Sequence, residues 1–237
     1  MKVYVVNLKK NPERMESIDA QLKKLGVEYE RIEAVYGKEL SEEEYGRSVS
    51  SLHAFLARGR KLTDGEVGCA LSHLEIYRRM IAKRIPVATV LEDDIIVKPE
   101  FAKVLSEVEV FVDVDKPQIV MLSTLGSRDA GKTGIVKTTS AICTDGYVIT
   151  LPAAKIILRA NYPVVTVADS WSRWRRRYGL ETYRYCPSVV SQDIERFGTD
   201  VSPVKQQIGG GVRYVMHKLL RVVEVLADKI WFWVSGR

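Results

Sequence analysis

Three consecutive carboxylates, Glu92, Asp93 and Asp94, interrupt the apolar segment "VATVLEDDIIV" at residues 87–97. Unpaired carboxylates are costly to bury, so these side chains must reach water, pair with basic groups or hold a cation. On an extended chain, Glu92 and Asp94 project to one side and Asp93 to the other. Oxygen ligands suit hard divalent cations such as Mg²⁺ and Mn²⁺, which commonly join a protein to a phosphate-bearing substrate. Zinc is less favoured, because no His or Cys is near in sequence.

The alternative to a cation site is that the three carboxylates begin a solvated loop or cap a helix starting near Pro99.

Two further polar residues lie where a phosphate could be held. Asn7 is near the end of the apolar run "VYVVNL", and Arg14 follows in the first turn of the helix predicted over "NPERMESIDAQLKKLG". Because a helix N-terminus favours anions, both residues could contact a nucleotide base or phosphate. The alternative for Asn7 is a strand-end amide, and for Arg14 a solvated helix arginine.

A second strong helix is predicted over "LTDGEVGCALSHLEIYRRMIAK". Thr63 and Glu66 have the spacing of a capping box, a role that by itself accounts for Glu66. Ser72 lies away from the apolar stripe of this helix and His73 lies at its flank, so both could face a pocket. Metal binding by His73 is not expected.

The elements that must position these residues alternate between strand and helix. Residues 38–62 are charged and weakly periodic, and are predicted to be irregular or partly helical. Such an order predicts an α/β fold with a mostly parallel sheet flanked by helices, whose ligands bind at the carboxyl ends of its strands. Strands are predicted over 3–8, 28–35, 86–92 and 118–123, and two more within 134–151. Helices are predicted over 11–26, 62–83, 99–111 and 152–161.

Composition bounds the class of protein. The chain has 237 residues, enough for one large α/β domain or a domain with an appendage. Its net charge of +6 suggests acidic partners such as nucleotides, anionic lipid head groups or nucleic acid. The opening apolar run is too short for a signal peptide, and no window approaches the roughly 20 apolar residues of a membrane-spanning helix. A cytoplasmic protein is therefore expected.

The three cysteines, Cys69, Cys143 and Cys186, are widely spaced and contain no CxxC pair. Neither a zinc knuckle nor a disulfide framework is indicated, and free thiols are expected. Cys69 is most simply a small buried residue.

Several segments, in the same order along the chain, resemble glycosyltransferase family 25, which includes lipooligosaccharide galactosyltransferases. The resemblance covers roughly residues 2–193, and the combination of "GEVGCALSH" with "LEDD" is its most specific part. The similar segments are "VYVVNLKKNPERME", "IEAVYG", "LTDGEVGCALSHLEIYRRMI", "VLEDDI" and "TDGYVITLPAAKIIL".

The resemblance implies a GT-A-like fold that binds a nucleotide sugar, usually UDP-galactose. Mn²⁺ or Mg²⁺ would be held on the diphosphate by the acidic motif, with Asp94 as the first metal ligand and Glu92 or Asp93 assisting or contacting the ribose. Transfer would be inverting, with an acceptor hydroxyl attacking the anomeric carbon in one displacement. The donor site implied by the resemblance comprises Asn7, Leu8, Arg14, Ala34, Val35, Gly37, Ser72, His73, Glu92, Asp93 and Gln192.

Two later carboxylates are candidates for the base that deprotonates the acceptor. Asp169, in "TVADSW", corresponds to a Pro-Val-Asp segment of the family, although the surrounding residues depart from that pattern. Asp145, in "CTDGYV", is the alternative. Asp169 could instead cap the helix predicted over "SWSRWRRRYG".

The C-terminal region is predicted to form separate elements. Residues 1–197 form the catalytic domain, 198–211 a glycine-rich linker, and 212–237 an amphipathic helix with a "WFW" cluster and a net charge of 5 − 2 = +3. Such a helix can lie on an anionic membrane surface, which would place the protein peripherally on the inner face of the plasma membrane near a glycolipid acceptor. The alternative is a helix that packs on the domain or on a second copy of the chain as a homodimer.

Two other classes of function remain open from the residues alone. A nucleotidyl- or phosphoryl-transfer enzyme would also use a carboxylate-held metal, but no GxxxxGK[ST] loop is present. A nucleic-acid-binding module is suggested only by the positive charge and by "WSRWRRRYG". One short cluster does not make a binding face, so no nucleic-acid partner is expected.

Overall fold

The computed structural model describes residues 1–123 and 131–198. The strands in these ranges are β1 Lys2–Asn7, β2 Glu30–Glu33, β3 Val87–Glu92, β4 Ile95–Val97, β5 Gln118–Met121, β6 Gly134–Lys137, β7 Gly146–Thr150, β8 Glu181–Cys186 and β9 Val190–Gln192. The α-helices are α1 Pro12–Lys24, α2 Glu42–Ser48, α3 Ser51–Arg58, α4 Asp64–Ala82, α5 Phe101–Phe111, α6 Leu151–Asn161, α7 Trp171–Tyr178 and α8 Ile194–Phe197. A 3₁₀ turn spans Gly37–Glu39.

Seven strands form one mixed sheet in the order β2-β1-β3-β7-β5-β8-β6. β1 is parallel to both β2 and β3, and β5 is parallel to β8. β7 is antiparallel to both of its neighbours, and β6 is antiparallel to β8. Five of the seven strands therefore run in one direction, which confirms the predicted α/β fold with a mostly parallel sheet. β4 and β9 form a separate two-stranded antiparallel sheet.

The large sheet is buried on both faces. Side chains of β1 alternate, so Tyr4 and Val6 pack with α4 and α6 on one face, while Val3 and Val5 pack with α1 and α5 on the other. Burying each such aliphatic side chain contributes about 1.5–3 kcal/mol. This two-sided burial accounts for the nearly continuous apolar runs in the sequence and fixes where the strands end.

The helices next to the carboxyl ends of β1 and β2 begin and end as the sequence predicts. α1 starts with Pro12 in its first turn, and Gly26 follows its last turn with a φ of +66°, a conformation that favours glycine. Thr63 and Glu66 form the predicted capping box at the start of α4. These ends set the position of both helices relative to the sheet edge.

Three predicted elements differ from the structure. β2 is shorter than the predicted 28–35, because the backbone N–H of Val35 donates to the Ser72 hydroxyl instead of to a neighbouring strand. Residues 38–62, predicted to be irregular or partly helical, contain the 3₁₀ turn, α2 and α3. The pairing of β4 with β9 was not predicted, since neither three-residue segment carries a pairing signal of its own.

Some predictions concern residues outside the described ranges: the linker beyond residue 198 and the amphipathic helix at 212–237. Within the described ranges, no helix is both long enough and apolar enough to cross a membrane. The three cysteines are free, as predicted.

Candidate functional site

A cavity of about 430 Å³ opens at the carboxyl ends of β1, β2 and β3. It is the edge at which parallel α/β sheets usually bind ligands. Eleven of its lining residues are ones that the sequence analysis proposed: Leu8, Arg14, Ala34, Val35, Gly37, Ser72, His73, Glu92, Asp93, Asp94 and Gln192. The sequence-based site is therefore brought together almost completely, although the roles of these residues stay predictions.

One wall of the cavity is the segment from Ala34 to Gly37, which packs closely against α4. The Ser72 hydroxyl accepts from the Val35 N–H at 2.8 Å and donates to the Gly68 carbonyl at 2.7 Å. A Cβ atom on Gly37 would overlap the Asp64 carbonyl, and one on Gly68 would overlap the Val35 carbonyl. Both glycines are thus required by close backbone approach, and Ser72, although buried, fixes the cavity wall.

Asp93 is held by the end of β1. The Asn7 side chain donates to Asp93 Oδ2 at 2.6 Å and to the Asn11 carbonyl at 3.0 Å, while its own oxygen accepts from Arg31 at 2.9 Å. Asn7 is 1% exposed and does not line the cavity. Burial raises the pKa of Asp93, although Asn7 and Arg14 oppose that rise. Asn7 therefore acts on the cavity through Asp93 in this structure.

Asp94 is the least satisfied of the three carboxylates. Among the described residues its buried Oδ1 atom has no hydrogen-bond partner, and its Oδ2 lies 3.8 Å from Arg14 Nη1. Burial, and then the nearby charges of Glu92 and Asp93, raise the pKa of Asp94 to about 7. A buried carboxylate oxygen without a donor is costly, and a cation in the cavity would remove that cost.

Arg14 is buried, which contradicts the alternative of a solvated helix arginine. Its Nη1 lies 3.7 Å from Asp93 Oδ1, its Nη2 donates to the Phe197 carbonyl at 3.1 Å, and its guanidinium lies 5.4 Å from the Phe197 ring centre. The positive charge of Arg14 is therefore placed beside two carboxylates at the N-terminal end of α1. Arg14 partly offsets the negative charge of these carboxylates, and its position also suits binding of a phosphate.

Glu92 faces the opposite side of the cavity, towards α4. Its Oε1 accepts from the Thr144 hydroxyl at 2.5 Å and lies 3.6 Å from His73 Nε2. Burial alone would raise the pKa of Glu92, but His73, Thr144 and Arg14 outweigh burial and hold that pKa below its ordinary value. Because the chain bends after Glu92, all three carboxylates line the same cavity, and the alternation expected of an extended strand is not maintained.

The expectation that no His or Cys lies near the acidic cluster holds along the sequence but fails in space. One ligand atom each from Cys69, His73 and Glu92 lies within 4.8 Å of the others. Cys69 lines the cavity and is only half-buried, so it is not merely a core residue. Burial and the charge of Glu92 raise the pKa of its thiol well above the ordinary value. The spacing of four residues between Cys69 and His73 was the signal in the sequence that could have identified this pair.

The two candidates for the base lie outside the cavity lining. Asp145 is 1% exposed, and its Oδ1 accepts from the Ser123 hydroxyl at 2.9 Å. Burial raises its pKa to about 6, and Ser123 opposes that rise. Asp169 is half-buried, and its Oδ2 accepts from the Cys143 N–H at 3.3 Å. The helix-cap alternative for Asp169 is wrong, because Ser170 is the N-cap of α7.

Further cavity residues were missed by the sequence analysis. Lys10 lies over the ring of Tyr36, with 3.8 Å from its ammonium nitrogen to the ring centre. Lys10 and Tyr36 each flank a recognised motif, but a lysine or a tyrosine alone does not indicate a ligand site. The missed lining residues are Val6, Lys10, Tyr36, Lys38, Gly65 and Cys69.

The cavity thus combines two cationic lysines and a buried arginine with three carboxylates. Cationic groups suit an anionic ligand, whereas the unpartnered Asp94 oxygen and the neighbouring Glu92 suit a hard divalent cation. The residues present therefore fit a ligand that carries phosphates together with a divalent ion.

Comparison with known proteins identifies a family that matches most of this chain. The family described as "Glycosyltransferase family 25 (LPS biosynthesis protein)" matches residues 1–171. A "Glycosyltransferase 25 family member" of Drosophila melanogaster is 38% identical over 103 residues, covering 42% of this chain and 17% of that protein. "Procollagen galactosyltransferase 1-B" of Xenopus laevis is 28% identical over 179 residues, covering 67% of this chain and 28% of that protein. The chain thus spans less than a third of the length of these relatives.

Among solved structures, this chain is similar to a glycosyltransferase involved in glycosylation of the major capsid of PBCV-1. The alignment covers 93% of this chain and 98% of that chain. The two are 12% identical, with a TM-score of 0.42.

Proposed function

Because the chain belongs to glycosyltransferase family 25, we propose that it transfers a galactosyl group from UDP-galactose to a glycan acceptor with the aid of a divalent cation. The observation that carries this proposal is the buried, unpartnered Oδ1 of Asp94 in a cavity at the carboxyl edge of the sheet. Family membership favours glycosyl transfer over the nucleotidyl-transfer and nucleic-acid-binding alternatives.

Asp94 and Glu92 would hold Mn²⁺ or Mg²⁺. When bound, such an ion supplies Lewis-acid stabilisation of the negative charge that develops on the leaving diphosphate. Hard oxygen ligands agree with this choice of metal. Asp93 is already satisfied by Asn7, so it is better suited to orienting the ribose than to binding the ion.

The positive side chains of the cavity would bind the donor. Arg14 lies beside Asp93 and Asp94 and can contact a phosphate oxygen without leaving the cavity. The ring of Tyr36, with Lys10 over it, offers a flat surface at the wall where the Ala34–Gly37 segment would contact the nucleoside. These contacts would hold the nucleotide part of the donor.

The acceptor hydroxyl would attack the anomeric carbon as its proton passes to a carboxylate, so that the configuration inverts in one displacement. We assign this base to Asp169, with Asp145 as the alternative. Asp169 is half-buried and accepts one long bond from the backbone, whereas Asp145 is fully buried and occupied by Ser123. A base must accept a proton from an incoming group, and the more accessible carboxylate is the better candidate.

No contact among the described residues identifies the acceptor class. The Xenopus laevis relative is named for procollagen and the family for LPS biosynthesis, so these names point to different acceptors. We favour a lipooligosaccharide or related glycolipid, because the positive net charge suits an anionic surface. The basic, aromatic segment at residues 212–237 would then lie on the inner face of the plasma membrane.

The test of the activity is a panel of nucleotide sugars with lipooligosaccharide and collagen-peptide acceptors, each with Mn²⁺, with Mg²⁺ and with a chelator. Galactose transfer from UDP-galactose, lost with the chelator and restored by metal, is the expected result. When Asp94→Asn is assayed in the same panel, Asp115→Asn is its matched control, since Asp115 is exposed and outside the cavity. Transfer that is unaffected by the chelator would exclude the metal, and transfer from another donor would exclude UDP-galactose.

The membrane proposal has a separate test. The full chain should sediment with anionic liposomes at low salt and remain in the supernatant with neutral liposomes, whereas a chain ending at Gly211 should lose that binding. Binding to both lipid types, or none to either, would contradict it. Unfolding or aggregation of the shortened chain would favour a helix that packs on the protein or on a second copy.

A further inference from the structure

The side of the cavity formed by α4, which we call the cavity floor, holds a second group of potential metal ligands. Cys69 and His73 are four residues apart on α4, so their side chains lie on one face of the helix. Glu92 reaches the same point from the end of β3, and the three ligand atoms lie within 4.8 Å of one another. Two structural elements thus deliver a sulfur, a nitrogen and an oxygen to one place.

The side chain of His73 is the observation that points to metal binding. It is 2% exposed, and within residues 1–123 and 131–198 its buried Nε2 atom has no hydrogen-bond partner. Its Nδ1 lies 2.7 Å from the Tyr147 hydroxyl, which in turn lies 2.8 Å from the Tyr77 hydroxyl. For a metal to bind, Nδ1 must donate its proton to Tyr147 so that Nε2 carries a lone pair. An outer hydrogen bond of this kind is what orients a metal-binding histidine. Without metal, Nε2 faces Glu92 Oε1 at 3.6 Å, and His73 favours the charged form of that carboxyl.

The ligand atoms of Cys69, His73 and Glu92 favour a different cation from the one proposed for Asp94. Sulfur, imidazole nitrogen and carboxylate oxygen together suit Zn²⁺, whereas Mg²⁺ and Mn²⁺ prefer oxygen alone. Tetrahedral zinc with bonds of about 2.0–2.3 Å separates its ligand atoms by roughly 3.3–3.8 Å. The 3.6 Å between His73 Nε2 and Glu92 Oε1 is within that range. The remaining separations, which are within 4.8 Å, must shorten by about 1.5 Å at most.

We propose that Cys69, His73 and Glu92 form a zinc-binding site on the cavity floor, with its fourth position open to the cavity. Cys69 binds as the thiolate and releases its proton to solvent, while the Thr144 hydroxyl continues to orient Glu92. Because Glu92 is also a proposed ligand of the hard cation, zinc at this site competes with Mn²⁺ or Mg²⁺. That competition rests on the proposed function, whereas zinc binding itself does not.

The experiment measures metal binding by the full-length, metal-stripped protein without any substrate. Calorimetry should give one Zn²⁺ per chain, with the dissociation constant raised at least about tenfold in Cys69→Ser. Co²⁺, used as a spectroscopic substitute, should produce a thiolate-to-metal absorption band in the wild type and in Cys143→Ser but not in Cys69→Ser. Cys143 is a matched control, because it is also half-buried and free but is outside the ligand group.

Equal zinc affinity in the wild type and Cys69→Ser, or a Co²⁺ complex of the wild type without the thiolate band, overturns the site. The second result needs no variant, so a folding defect in Cys69→Ser leaves the proposal testable. Zinc should also raise the Mn²⁺ concentration required for half-maximal transfer, and less so in Cys69→Ser. Zinc binding without any galactosyl transfer would contradict the proposed function alone, and transfer without zinc binding would contradict this site alone.

Discussion

Two neighbouring strand ends carry buried carboxylates, but their surroundings differ. Asp94 follows β3, whereas Asp145 precedes β7, the strand that pairs with β3. Burial raises the pKa of both carboxyls, to about 7 for Asp94 and about 6 for Asp145. Asp145, however, accepts a hydrogen bond from Ser123 and lies outside the cavity lining, while Asp94 lines the cavity with one oxygen unpartnered.

The difference shows that a raised pKa alone does not distinguish a functional carboxylate from a structural one. Burial perturbs both groups by the same mechanism. What separates them is whether the fold supplies a donor to each oxygen. A carboxylate that is left short of a donor and open to a cavity is the better candidate for holding a ligand, whereas a satisfied one is stable as it is.

The largest expected effect is at Asp94. Asp94→Asn should keep the fold and lower kcat for metal-dependent transfer by about 10³, because a group that stabilises charge in the transition state is lost. Steady-state kinetics at saturating donor, beside Asp115→Asn as the control, measure it. Turnover within tenfold of the wild type would remove Asp94 from the metal site.

A smaller loss is expected at Asp169. Asp169→Asn should lower kcat by about 10² while leaving the dissociation constant of UDP within a factor of about two, because a base acts on the acceptor and not on the nucleotide. Parallel kinetics and calorimetry separate the two quantities. A variant that instead loses stability and activity together would indicate that Asp169 only supports the Cys143 backbone.

The stability of the metal-free protein should respond to pH through Asp94. Because the folded-state pKa is about 7 and the ordinary value is 3.8, the folded chain binds more protons than the unfolded chain between these values. The contribution of Asp94 to the free energy of unfolding therefore falls as pH rises from about 4 to 7, and Asp94→Asn removes this loss. The variant should be more stable than the wild type by at least about 1 kcal/mol at pH 8, with the gap closing near pH 4. Urea denaturation in a chelator at both pH values tests this, and an equal gap at both would contradict it.

The smallest effect is expected at Asp145, which completes the comparison. Asp145→Asn should change kcat by less than about tenfold, because an amide oxygen can still accept from Ser123 at this satisfied site. The same transfer assay applies. A loss of 10² or more here, with none in Asp169→Asn, would move the base to Asp145.

Much of the fold could be predicted because its signals are local. The capping box at Thr63, the stop at Gly26 and the apolar runs of β1 and β3 each depend on residues a few positions apart. The pairing of β4 with β9 could not be predicted, since its partners are distant in sequence: Ile95 pairs with Gln192, 192 − 95 = 97 residues away, and Val97 pairs with Val190, 190 − 97 = 93 residues away. Register between distant strands depends on packing that no local pattern contains.

The sequence by itself determined the types of chemistry available. It placed three carboxylates at a strand end, and Cys69 and His73 on one helix face, because strand alternation and the helical repeat act over a few residues. Only the tertiary structure decided how they are used. Packing of α4 and β7 around the end of β3 brings His73 and Thr144 to Glu92 and leaves Asp94 without a donor for Oδ1. The electrostatic environment of a carboxylate is set by atoms within a few ångströms, and here most of those atoms come from distant parts of the chain.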